Sequence, residues 1–376
     1  MLPIHFAEDM LKLETIKGDV MKCTGLFLVV LMSCLSASAE TYKVFPDGSG
    51  DYPTIQSAIY ASSDDDTVML ADGVYTGEGN RDLANVSRWI LIRSESGDPD
   101  LCIIDCEGSE AEWHAGFQID ITGSKSLPPR TMLGIDGITV SNAFSHSGSG
   151  LRICDGAAPL VNNCNFIDNV AVHNGGVISV SESGGTYVNC LFLNNAAQTG
   201  GVMELASYGS GRFYDCTFSG NRAEVGGAIY AYHSDWNITF SGCTFYNNQA
   251  PAGAHFYLDY YSQVELDHCI LAFGQYGEAI VCEPDSYASL SCCDVFGNEG
   301  GDWTGCIEGL DGQDGNISAD PLFCDASALN LTLYNVSSCA PFTPPNEECD
   351  LIGAWPVGCE MTATRPITWS TLKAQY

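Results

Sequence analysis

The chain has 376 residues and a formal charge of −33, with 14 Lys plus Arg against 47 Asp plus Glu. That balance argues against nucleic acid as a partner, because no basic footprint exists to displace its counterions; an anionic polysaccharide or membrane would be repelled unless a divalent cation bridged the two. With 45% hydrophobic residues and 40 glycines, the composition excludes disorder and points to an all-β chain rich in turns.

In chain order, Met21-Lys22 precedes an apolar run from Gly25 to Met32 and a Ser-Ala-Ser-Ala stretch ending at Ala39. A basic start, an apolar middle and a small-residue cleavage site predict a secretory signal peptide. Residues 1–39 then form an upstream leader and signal, with Met21 as the true start. The lipobox-like Leu31-Met32-Ser33-Cys34 fits a lipoprotein poorly because of Met32. The apolar run is too short to span a bilayer, and no later segment would cross one as a helix. After Pro53, Ile55, Ala58 and Ile59 fall at helical spacing within Thr54 to Ser62, which predicts a short N-terminal capping helix. Short apolar strands are predicted at 67–70, 89–92, 102–105, 117–120 and 133–135.

From Cys164 the pattern becomes periodic. Cysteines at 164, 190, 216, 243, 269 and 293 are separated by 26, 26, 27, 26 and 24 residues, the mark of a solenoid. Val188, Cys190 and Phe192 alternate with Asn189 and Leu191, and Tyr214, Cys216 and Phe218 repeat the alternation. Period two means strand. Two or three short strands per lap, stacked about 4.8 Å apart, build a parallel β-helix of about 8–10 coils. Cys and Phe then point inward as vertical ladders. Parallel Cβ vectors hold stacked sulfurs apart, so the ladder thiols are expected to stay reduced. Asn169, Asn195, Asn221, Asn248 and Asn298 each fall five residues after a ladder cysteine. They are expected in left-handed turns, with amides bonded to the coils above and below. The glycine pairs starting at Gly175, Gly200 and Gly226 mark tight bends. Residues 320–359 are expected to cover the open end of the solenoid. Disulfides are expected among Cys306, Cys324, Cys339, Cys349 and Cys359, with Cys339–Cys349 the leading pair. Residues 361–376 read as a frayed tail.

These stretches resemble a known family. VFPDGSGDYPTIQSAIYASSDDDTVMLADGVYTG, residues 44–77, is similar to the entry of pectin-lyase-like right-handed β-helix proteins. Phe166–Asn169, Phe192–Asn195, Phe218–Asn221 and Phe245–Asn248, with GGVI, GGVM and GGAI, resemble repeats of chlamydial polymorphic outer-membrane proteins. Those end in a membrane barrel, for which the residues after the predicted β-helix are expected to leave no room. ADPLFCDASALNLTLYNVSSCAPF and CDLIGAWPVGC resemble the close of secreted bacterial β-helix proteins. The likeness covers most of residues 42–360. It implies a right-handed, single-stranded parallel β-helix over 40–360 with a loop-rich C-terminal cap. It implies no single activity, because this fold hosts lyases, hydrolases, esterases, adhesins and stalks.

The search for chemistry is less productive. Lyases of this fold use an Arg or Lys base with calcium; Arg152, Arg212 and Arg222 lack an evident carboxylate cluster and read as solvated turn residues. Hydrolases need paired carboxylates, yet Asp120, Asp136, Asp155 and Asp168 are spread over successive coils. GVYTGE, 73–78, misses the GxYxE of pectinesterases by one place, so Glu78 receives no catalytic role. Histidines 114, 146, 173, 233, 255 and 268 form no metal-ligand pair by spacing. Asp314, Asn316, Ser318 and Asp320 alternate in an oxygen-rich loop that could hold calcium, without the glycine and terminal glutamate of an EF-hand. The better hint is aromatic. Tyr230, Tyr232, Trp236, Tyr257, Tyr260 and Tyr261 crowd into adjacent coils, either as a platform for sugar or protein or as packing. The sequence thus predicts a secreted β-helix with a binding, adhesive or structural role, its partner a polysaccharide or cell-surface protein. The alternative is a carbohydrate-active lyase or hydrolase.

Overall fold

The computed structural model describes residues 39–84, 89–120, 133–154, 156–234 and 238–360. The predicted leader up to residue 38, the tail 361–376, Asp155 and Trp236 lie outside them. Three parallel sheets of 10, 9 and 7 strands form the body. Sheet 1 runs from Thr41–Val44 to Tyr287–Ser291, sheet 2 from Gly73–Tyr75 to Asp294–Phe296, and sheet 3 from Phe117–Asp120 to Ile280–Cys282. Each strand pairs with its equivalent one lap later, so the chain is a parallel β-helix. The 10 strands of sheet 1 mark ten laps, and a bridge from Asp294 to Ile317 begins another.

The ladders explain the repeat. Cys164, Cys190, Cys216, Cys243, Cys269 and Cys293 are buried free thiols. Each donates to carbonyls of its own strand and of the neighbouring coil, as Cys190 Sγ does to Val188 O at 3.3 Å. Burial pushes the Cys164 thiol up to about 12 and raises Cys190, Cys243 and Cys293, whereas at Cys216 and Cys269 burial is outweighed by hydrogen bonds from those neighbouring thiols, which lower them. All six sulfurs are buried in the core, out of reach of a solvent-borne partner. Beside it, Phe166, Phe192, Phe218 and Phe245 stack with ring centroids 5.3, 4.8 and 4.4 Å apart. Tyr187, Phe213 and Phe240 form a second column at 4.6 and 4.5 Å. Each such ring contributes about 1.5–3 kcal/mol by burial.

The asparagine ladder is a hydrogen-bonded chain. The backbone N–H groups of Asn169, Asn195 and Asn221 donate to Oδ1 of Asn195, Asn221 and Asn248 on the next coil, at 2.9, 2.9 and 3.0 Å. One expectation is corrected here. The left-handed residue is the one before each ladder asparagine: Asp168, Asn194, Gly220 and Asn247 have φ of 56°, 56°, 64° and 54°. That residue turns the chain; the asparagine after it aims its amide inward. At the next coil Gly274 takes the asparagine's place, and His255 reaches in from sheet 3. Its Nδ1 lies 3.1 Å from Asn248 Nδ2 and its Nε2 lies 2.9 Å from Asn298 Oδ1. Burial holds this imidazole neutral, with its pKa lowered to about 4, which assigns the proton to Nε2. The paired glycines are equally constrained. Gly226 has φ of 64°, and a Cβ there would lie 2.3 Å from the Ile229 carbonyl oxygen.

The helix Ile55–Ala61 forms as predicted, with a capping box between Thr54 and Ser57 and with Ile55, Ala58 and Ile59 buried. The far end differs from expectation. Trp303, Cys306, Ile307 and Leu310 pack against the main core, and a Cys282–Cys306 disulfide pins this plug. Residues after 320 instead lie along the outer flank of sheet 2. Leu333, Cys339 and Ile352 cover Ile270 and Ala272, and Trp355 Nε1 donates to Thr217 Oγ1 at 2.8 Å. The outer positions of sheet 2 turn apolar at Ile270 and Ala272, so they need covering. The expected Cys339–Cys349 bridge is absent: Cys349 pairs with Cys292, and Cys324 with Cys359. Cys339 remains a buried thiol that donates to Asp294 Oδ2 at 3.1 Å. Burial under this flank raises Asp294 to about 7.

Candidate functional site

Strand alternation decides which tyrosines face outward. On sheet 3, Ile229, Ala231, Phe256 and Leu258 are buried, so Tyr230, Tyr232, Tyr257 and Asp259 point away from the core. Register then builds two columns, Glu204–Tyr230–Tyr257 and Ala206–Tyr232–Asp259. The Tyr230 and Tyr257 rings stack with centroids 5.9 Å apart. Tyr232 and Tyr260 stack at 5.5 Å, and Tyr261 meets Tyr260 edge-on at 5.1 Å. Tyr260 and Tyr261 form the corner after the strand, both left-handed, with φ of 44° and 62°. They are 48% and 54% exposed, and Tyr232 is 42% exposed.

The surface extends further than the sequence indicated. Tyr208 lies 4.5 Å from His233, and His233 lies 5.1 Å from Tyr260, ring to ring. These residues occupy nearly the same point on successive laps, a signal that exact lap counting would have exposed. Carboxylates frame the rings. Tyr230 Oη donates to Asp259 Oδ2 at 3.1 Å, and Tyr257 Oη donates to Glu283. Burial first, then these carboxylates, push the Tyr230 phenol up; burial and Glu283 do the same at Tyr257. Both hydroxyls therefore act as donors. Burial also raises Glu204. Trp236, the sixth predicted aromatic, is outside the described residues.

The predicted calcium loop is arranged differently from a cage. Asn316 is buried; its Oδ1 accepts the Cys293 N–H at 2.9 Å and its Nδ2 donates to Leu290 O at 3.0 Å. Ser318 Oγ donates to Val295 O, and Asp320 Oδ1 accepts the Leu322 N–H. Asp314, exposed, sits in a left-handed turn with φ of 50°. The loop thus spends Asn316 and Ser318 on backbone contacts. Elsewhere, His268, Cys292 and Cys349 offer ligand atoms within 4.8 Å of one another, but their sulfurs are joined in the disulfide.

Two of the hollows formed by the described residues bear on function. A cleft of about 570 Å³ is lined by Gln56, Tyr60, Glu78, Arg81, Asp82 and His114. Asp82 Oδ2 lies 2.7 Å from His114 Nδ1, and Asp82 Oδ1 accepts the Ala115 N–H at 2.7 Å. Arg81 pairs with Glu107 at 2.6 Å. No spacing along the chain signals this pairing, because Asp82 and His114 are brought together by lap stacking. A shallower groove runs beside Val172, His173, Gln198, Arg222 and Glu224. Arg152 and Arg212 are exposed on strands of sheets 3 and 1. Asp136 accepts from Asn162 Nδ2 at 2.7 Å, and Asp168 occupies a turn.

Fold and surface together define a solenoid protein of parallel β-helix architecture with an aromatic, acidic face. The family of the right-handed beta helix region matches residues 90–245 and 172–309, and the chain belongs to it. No curated protein matches the chain. Among solved structures, a pectin methylesterase from carrot is similar at 14% identity, covering 75% of this chain and 88% of that one, with a TM-score of 0.31.

Proposed function

We propose that this protein is a secreted β-helix that binds glycans through the outer face of sheet 3. One observation carries the reading. Tyr232, Tyr260 and Tyr261, all exposed, form one contiguous ring surface on a rigid strand and its corner. Tyrosine rings offer flat apolar faces to the C–H face of a sugar, with little conformational entropy to lose. Asp259 and Glu283 beside them can accept sugar hydroxyls. The left-handed Tyr260–Tyr261 corner repeats the Ser207–Tyr208 corner of an earlier lap, so the rings are displayed by a recurring turn of the solenoid. The leader at Met21 to Ala39 and the repeats resembling polymorphic outer-membrane proteins support a role outside the cell or at its surface.

The enzymatic alternative draws support from the Asp82–His114 pair in its cleft, since an oriented imidazole can act as a general base. A glycan array run beside a turnover assay separates the two. The binding reading expects retention of uncharged or basic glycans, lost in Tyr232→Ala and Tyr260→Ala, with no new chain ends. Release of reducing or unsaturated ends, abolished by His114→Ala and unaffected by Tyr260→Ala, would replace it with the enzymatic reading.

A further inference from the structure

We propose that the tyrosine face takes a cationic glycan, a chain of unacetylated amino sugars, in preference to a neutral or anionic one; this rests on the glycan reading above. Charge complementarity carries the inference. Between Ala223 and Glu360 the chain has twenty Asp and Glu and no Lys or Arg. The part of the solenoid that bears Tyr230, Tyr232, Tyr257, Tyr260 and Tyr261 therefore has no fixed cation in its own sequence to neutralise it. Its field draws in positive ligands and turns away uronates.

The local geometry fits the same ligand. An ammonium group over a tyrosine ring is attracted by the electron-rich face. Here carboxylates edge the stacked Tyr230–Tyr257 pair. Asp259 is held by Tyr230 Oη, Glu283 by Tyr257 Oη, and Glu204 stands in register with Tyr230. Protonated amines would donate to these oxygens in charge-assisted bonds. A neutral sugar could use the rings but would leave the carboxylates uncompensated. A sugar chain also suits the layout better than a Lys-rich peptide. The rings rise in straight columns along a rigid axis, which matches a stiff polymer presenting one apolar face per unit. A lysine side chain would forfeit more rotamer freedom to reach the same contacts.

The test titrates the full chain with glucosamine oligomers, their N-acetylated counterparts, cello-oligosaccharides and a Lys-rich peptide. Glucosamine oligomers are expected to bind at least about ten-fold more tightly than the acetylated ones, less so at high salt and at a pH that neutralises the ligand amines. Asp259→Asn and Glu283→Gln keep an acceptor for each tyrosine hydroxyl. Each should remove most of the charge preference, while Tyr260→Ala weakens binding of both oligomers. Equal binding of charged and neutral oligomers, or a preference that survives both carboxylate variants, overturns the inference and leaves the glycan reading standing. Binding of the Lys-rich peptide alone, or of no oligosaccharide at all, overturns both.

Discussion

Replacing Asn221 by Ala tests the asparagine ladder at its middle rung. Asn221 Oδ1 accepts the Asn195 backbone N–H at 2.9 Å and Asn195 Nδ2 at 3.0 Å; its Nδ2 donates to Phe192 O at 3.0 Å and Asn248 Oδ1 at 2.9 Å. In the variant, Asn195 Nδ2 keeps its bond to Phe166 O, and Asn248 Oδ1 keeps the Asn221 N–H. One buried group is left bare, the Asn195 N–H, while the Phe192 carbonyl keeps its place in the parallel ladder with Thr217–Ser219. At about 1–3 kcal/mol for an orphaned buried donor, the loss is about 2 kcal/mol. Denaturant unfolding followed by circular dichroism reads the change in midpoint, with exposed Arg212→Ala as a control expected within about 0.5 kcal/mol. Solenoids transmit damage to nearest neighbours, so hydrogen exchange should show the Asn195 amide opening first. A loss below about 1 kcal/mol, with Asn195 still protected, would refute the ladder as a source of stability.

Other consequences can be measured separately. Tyr187 Oη is buried with no partner among the described residues, so Tyr187→Phe should raise stability by about 1 kcal/mol in the same assay. Asp294, raised from 3.8 to about 7, contributes stability that is complete below pH 3.8 and is lost as pH climbs through 7. That gap corresponds to about 4 kcal/mol, and Asp294→Asn should recover most of it at pH 8 and none at pH 3.5. His255, lowered from 6.5 to about 4, has the opposite sign: stability is complete above pH 6.5 and falls by about 3 kcal/mol as pH drops to 4. Urea midpoints of Asp294→Asn across this range should expose that acid loss without the opposing contribution of Asp294. Tyr261→Gly relieves a left-handed residue at φ 62°; it should match or exceed the parent in melting temperature while binding glycans less tightly.

The repeat was readable because a solenoid is governed by neighbours. The cysteine period, the alternation around Phe192 and Phe218, and the helical spacing of Ile55, Ala58 and Ile59 each depend on residues close along the chain or one lap away. The same locality let the tyrosines be noticed, though not their orientation. Tyr230 and Tyr257 gain meaning only when register sets Glu204, Asp259 and Glu283 beside them. Likewise Asp82 meets His114 across 32 residues, and His255 fills the gap left by Gly274 from another sheet.

The amino-acid sequence by itself determined the lap, the inward ladders and the acidic character of the C-terminal half, because those follow from periodicity and composition. Only the tertiary structure decided that the left-handed residue precedes each ladder asparagine, that Cys349 joins Cys292, and that Trp355 reaches Thr217 across 138 residues. No repeat encodes the last two contacts. They arise where a non-repeating segment folds back to cover apolar positions on sheet 2, and where side chains from separate laps are carried to one surface by the rise of the helix.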